Sequence, residues 1–168
     1  MNIPGDVTIE AWVNPAVNLQ KGYAGIFVGR GPGTGTGSAD YAMAVAGDAG
    51  GSRIRFNYCN LLPNCSNWFD TASWAGGSSG AVTAGTWAQI VVTRNIADNK
   101  VRFYKNGALL EVFSGIGAGL GQLANSKVIG ADVHQGSNGY FNGAIDEVAI
   151  WNRALSDIEI QTLYNNSQ

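Results

Sequence analysis

Charge is scarce in this 168-residue sequence: charged residues make up 13% of it, about half the ~25% typical of soluble domains. With 10 basic and 12 acidic side chains and a formal net charge of -2, it has no electrostatic footprint for nucleic acid or an anionic membrane. Long apolar runs are missing too, since none approaches the ~20 residues of a spanning helix, so no membrane insertion is expected. Met1 leads into a polar turn rather than a basic and then apolar leader, so any secretory signal is expected outside this chain. Histidine occurs once, as His134 in a polar loop, and no nucleophile-elbow motif accompanies it. A Ser-His-Asp type of chemistry therefore has no visible parts. No self-similar period of 20 to 50 residues is evident, which disfavours a propeller or solenoid.

Cysteine is nearly absent. Cys59 and Cys65 flank a stretch containing Asn60, Pro63 and Asn64 that can reverse direction, and a disulfide there would contribute about 2.4 kcal/mol by loop entropy. The alternative is a pair of unjoined thiols, and two cysteines alone cannot complete a tetrahedral metal site. An oxidising, extracellular setting follows if the bridge forms.

Glycine, in contrast, is abundant at 24 residues, about twice the ~7% background. Many turns between short strands are the natural consequence. Val7, Ile9, Ala11 and Val13 alternate with Thr8, Glu10, Trp12 and Asn14, the period of a strand with two distinct faces, and Pro15 ends the run. Further strands are predicted over 24–29, 41–46, 53–58, 87–94, 100–104, 108–113, 127–130 and 141–151, within a total of eight to twelve. Asn106-Gly107 favours a type I′ hairpin turn. The runs 31–38 and 115–121 are Gly-rich connections without the strand-to-helix context of a phosphate loop. Near the C-terminus, Ser156 and Glu159 form a capping box, and Leu155 with Ile160 a hydrophobic staple. Ile158, Ile160, Leu163 and Tyr164 are expected to form the helix's docking stripe. The prediction is an all-β, two-sheet antiparallel sandwich carrying one short helix, formed by a single domain over residues 1–168.

In sequence order, TIEAWVNP, TWAQIVVT, VRFYKNGALL, KVIGAD and GAIDEVAIWNRALSDIEIQTLY resemble the laminin-G-like, concanavalin-A-like jelly-roll domains of bacterial and viral surface proteins. The resemblance runs from Ile3 to Tyr164 and implies a jelly roll. It also implies an additional first strand, whereas Met1 here stands almost at the following one, so either that strand lies outside this sequence or an edge is left open near the N-terminus, expected to pair with a flanking segment or a neighbouring subunit. Glucanases share this fold, but their Glu-x-Asp-x-x-Glu strand does not occur among Glu10, Glu111, Glu147 and Glu159. Two carboxylates facing one cleft are thus not supplied, and no catalysis is expected.

Ile145, Val148 and Ile150 can all face inward only if the strand carries an extra residue at Asp146-Glu147, which predicts a bulge. Its carboxylates either satisfy local amides and Arg153 or contribute to a Ca²⁺ site. The resemblance implies such a site near this segment, and Asp146, Asp6, Asp132 and Asn142 are its oxygen-bearing candidates. Aromatic residues form a second lead. Trp68 and Trp74 lie in a polar stretch where, with Tyr58, Asn60 and Asp70, they could stack on sugar C–H faces and bond hydroxyls, or instead fold into the sandwich. His134, Asn138 and Tyr140 make a second polar loop, whereas Trp12, Trp87 and Trp151 are assigned to structure. The leading expectation is a non-catalytic recognition module at a cell or virion surface, binding a glycan or other surface ligand. The alternative is an assembly or adhesion subunit acting through protein contacts.

Overall fold

A computed structural model describes residues 3, 5–20, 23–30, 39–48, 51–58, 67–70, 82–116, 126–132 and 139–167. Among these residues ten strands precede one helix: β1 (Val7–Pro15), β2 (Tyr23–Arg30), β3 (Ala39–Asp48), β4 (Gly51–Tyr58), β5 (Asn67–Asp70), β6 (Ala88–Asn95), β7 (Lys100–Lys105), β8 (Ala108–Ser114), β9 (Lys127–Ile129), β10 (Gly143–Trp151) and α1 (Asp157–Asn166). They form two five-stranded sheets, ordered β10-β1-β6-β7-β8 and β5-β4-β3-β2-β9, with antiparallel pairing throughout. This is the expected jelly-roll sandwich. β5 is an element that the sequence pattern missed, since its four residues do not alternate and its pairing comes from β4.

The alternation in β1 does what a period of two requires. Val7, Ile9, Ala11 and Val13 are buried between the sheets with Ile26, Met43, Val45, Ile54, Phe56, Ile90, Val92 and Phe103. Burying each large aliphatic side chain stabilises the sandwich by roughly 2 kcal/mol before conformational entropy is counted. β1 itself is not an open edge: β10 flanks it on one side and β6 on the other. The unpaired side expected near the N-terminus is therefore absent at β1, because β10 returns from the far end of the chain to cover it.

The predicted bulge is present. Glu10 opposes Ala149 while Trp12 opposes Asp146, so Ala11 faces two residues, and Glu147 adopts φ 50°. The extra residue re-phases the strand, so Ile145, Val148 and Ile150 all pack against the same core. The Asn106-Gly107 turn is equally local in origin, with φ 51° and 75° at its two central residues, as a type I′ turn demands. Gly25 answers a different need: a Cβ there would lie 2.5 Å from the Ala131 carbonyl carbon, so only glycine allows that return to cross β2.

Helix α1 covers the outer face of the first sheet. Ser156 and Glu159 form both bonds of the capping box, while Leu155 and Ile160 pack together over Val91 and Tyr104. Thr8 Oγ1 donates to Arg153 O at 2.8 Å and accepts from Leu155 N at 2.9 Å. The Tyr104 hydroxyl donates to Asp157 at 2.7 Å. These contacts pin the approach to the helix onto β1 and β7. Ile158 departs from the expected docking stripe and is 77% exposed. Two helical residues two apart point ~200° away from one another, so Ile158 and Ile160 cannot dock together.

Candidate functional site

The four candidate calcium ligands do not meet. Asp6 precedes β1 and accepts the Ile96 amide at 2.8 Å, whereas Asn142 lies beyond the other end of β1, its carbonyl accepting from Ala16 N at 2.8 Å. Nine residues of strand separate them, on the order of 25 Å or more. Asp146 sits part-way along, opposite Trp12, with one carboxylate oxygen accepting from Glu147 N at 2.8 Å. Asp132 is buried on the β2 side, where its amide donates to Gly139 O at 2.8 Å. Calcium needs 6 to 8 oxygens around one point, so these residues do not fit as a single set. Among the described residues there is no cluster of three or more His, Cys, Asp or Glu side chains suited to a metal.

The aromatic stretch divides differently. Tyr58 belongs to the core: it is 2% exposed, its hydroxyl donates to Ile116 O, and the Arg94 guanidinium lies 4.5 Å above its ring. Trp68 stands opposite Asn57 and Asp70 opposite Arg55 in the β4–β5 ladder, so their positions alternate with those of the core-facing β4 residues. Tyr140 is 64% exposed and bridges to Ala131 through the backbone. Asn60, Trp74, His134, Asn138, Cys59 and Cys65 lie outside the described residues.

A cleft of about 330 Å³ opens on the outer face of the first sheet, lined by Trp12, Trp87, Asp146, Glu147 and Ser167. Three local decisions build it. Trp12 occupies the outward phase of β1, along with Thr8 and Glu10, and its ring stacks on Tyr164 with centroids 5.8 Å apart. Trp87 falls just before β6, and this residue, assigned to structure from the sequence, is 42% exposed. The β10 bulge presents Asp146 and Glu147 side by side on the sheet surface, where regular alternation would have separated them. Both carboxylates are exposed. The Trp12 indole Nε1–H is buried and has no acceptor among the described residues.

Behind the cleft, Glu10 is buried and accepts from Gln89 Nε2 at 2.6 Å. Gln89 in turn accepts from Gly107 N at 3.0 Å and donates its amide to Asn106 at 3.0 Å, which anchors the hairpin to the sheet. Burial pushes the Glu10 carboxyl above its ordinary range, the Gln89 bond opposes that, and the negative Glu147 adds to the rise. The arrangement offers aromatic faces and two exposed carboxylates at a single surface. Such a surface suits binding of a polar ring rather than acid-base chemistry. The sequence did carry a signal for Trp12, whose position is out of phase with Val7, Ile9, Ala11 and Val13.

Comparison with curated proteins finds no match. Among solved structures, the chain is similar to the CBM40 carbohydrate-binding module of the Ruminococcus gnavus IT-sialidase bound to α2,3-sialyllactose. That likeness has a TM-score of 0.71 at 14% identity and covers 95% of this chain and 83% of that one. It is also similar to domain 4 of an extracellular arabinanase from Geobacillus stearothermophilus in complex with arabinotriose (TM-score 0.65, 18% identity, covering 96% and 67%). A third likeness is to a native heptameric SAP-like pentraxin from Limulus polyphemus (TM-score 0.66, 16% identity, covering 98% and 72%). At these identities the likenesses establish the sandwich alone. The family model, described as the concanavalin A-like lectin/glucanases superfamily, matches residues 1–161, and the chain belongs to that superfamily.

Proposed function

We propose that this domain is a non-catalytic module that binds glycans at an extracellular, cell or virion surface. The observation that carries the reading is the cleft, in which exposed Trp87 stands beside Asp146, Glu147 and Trp12. A pyranose presents an apolar C–H face to an indole and hydroxyls to carboxylates, and this surface supplies both partners. The neighbours solved with sialyllactose and arabinotriose support carbohydrate as the ligand class. A glycan array on the whole chain, followed by titration calorimetry with Trp87→Ala, Trp68→Ala and Trp74→Ala, tests it. Trp87→Ala is expected to weaken binding about tenfold or more, and EDTA is expected to leave cleft binding unchanged. Loss confined to the Trp68 and Trp74 variants would move the ligand to the polar stretch after Cys59. No glycan binding by well-folded protein would overturn the reading.

A second reading is favoured by a separate feature. Among the described residues β8 is a sheet edge, and Leu109, Leu110 and Val112 on it are exposed, which suits strand pairing with a second copy in an assembly or adhesion role. Sedimentation velocity distinguishes the two. Concentration-dependent dimers abolished by Leu110→Lys support assembly, and a monomer at every concentration removes it.

A further inference from the structure

Resting on the glycan reading of the cleft, we infer that it selects sugars carrying a protonated amino group, with glucosamine oligomers as the simplest ligands. Among the described residues the lining contains two exposed carboxylates, Asp146 and Glu147, and no lysine or arginine. Neither carboxylate has an ion-pair partner among the described residues, unlike Asp98 with Arg102 and Glu159 with Arg153. Asp146 is also aimed: its Oδ1 is held by the Glu147 amide at 2.8 Å, which fixes the side chain on the bulge. Glu10, buried two residues before Trp12 on the same face of β1, places a third acidic group behind the wall. An anionic sugar entering here meets like charge, whereas an ammonium meets opposite charge and the face of an exposed indole.

A single amino sugar offers an ammonium for the carboxylates and an apolar C–H face for the exposed indole within one ring. The cleft volume of about 330 Å³ lies at the lower end of small-ligand sites, roughly 300–1,000 Å³. A short oligosaccharide segment fits that scale better than an extended polymer wrapped around the fold.

The test compares four probes of equal length on the whole chain at low and raised salt: the glucosamine tetramer, its fully N-acetylated form, cellotetraose and tetragalacturonate. Acetylation removes the charge at constant pH, so the amine is isolated from other effects. The amino tetramer is expected to bind roughly tenfold more tightly than its acetylated form at low salt, with the gap narrowing as salt rises. Asp146→Asn, which keeps an acceptor for the Glu147 amide, and Glu147→Gln should each narrow the gap, and Trp87→Ala should weaken both tetramers. Neutral tetramers binding through Trp87 with no amine preference would overturn this inference and leave glycan binding standing. If no tetramer binds, this inference fails, and the glycan array alone decides the reading on which it rests. A preference that survives Asp146→Asn with Glu147→Gln, or tetralysine binding as tightly as the amino tetramer, would also overturn it.

Discussion

Glu10 shows how a single side chain connects the fold to the cleft. It occupies the outward phase of β1, yet α1 and its approach turn that face into an interior, leaving a carboxyl buried with one hydrogen bond from Gln89. Because burial, opposed by that bond and reinforced by Glu147, raises its folded-state pKa, protonation favours the native state. The sign follows: the stabilising contribution is complete below the unfolded value of about 4.5 and is lost as pH climbs through the raised folded value. Glu10→Gln, which retains an acceptor for Gln89, should therefore unfold at higher denaturant than wild type at neutral pH, with the two converging in acid. Urea titrations at several pH values check this. A variant less stable than wild type at neutral pH would mean that the charged form is the better-solvated one.

At the scale of elements, the C-terminal helix depends on an N-terminus that three residues fasten. Ser156→Ala removes the acceptor for the Glu159 amide and should cost about 1 kcal/mol by chemical denaturation. A change near zero would mean that other bonds hold the turn. Glu159 lies under a bidentate Arg153, with contacts of 3.0 and 2.7 Å, and Arg153 first, then the Ser156 amide and hydroxyl, hold its pKa down at about 2 against an ordinary 4.5. Its contribution is thus present above 4.5 and lost as pH falls through about 2. Arg153→Ala should move that loss to higher pH, read as an earlier acid decrease in helical circular dichroism. These elements were legible because their causes are local: the cap and staple, the β1 alternation, the Asn106-Gly107 turn and the re-phasing at Asp146-Glu147 each lie within a few residues. β5 was not, because Trp68 and Phe69 become strand only through pairing with β4. The candidate site was half legible for the same reason. Asp146 could be singled out from its bulge, but Trp87 reads as the start of a strand, and only the tertiary arrangement leaves it exposed beside the bulge. Asp6 and Asn142 looked like neighbours of Asp146 because chain order does not say which end of β1 each occupies.

For the molecule as a whole, the decisive contact is between its first and last strands. β1 pairs with β10 from Thr8–Trp151 to Pro15–Gly143, and the Thr8 hydroxyl reaches Arg153 O across 145 residues of chain. Closing so long a loop costs entropy that local turns cannot recover, so sandwich formation is expected to be slow and cooperative. Without β10 and α1, β1 becomes an edge, Val91 and Tyr104 lose Leu155 and Ile160, and Trp12 loses Tyr164. A chain ending at Asn142 should therefore show no cooperative thermal transition and no native near-ultraviolet circular dichroism. A sharp transition with native-like aromatic signals would show that the remaining strands close a core by themselves. The cleft sharpens the comparison, since Trp12 comes from the first strand and Asp146 and Glu147 from the last. Even a shortened chain that kept its core would have lost both carboxylates, so retained amine selectivity in it would place the recognition surface elsewhere.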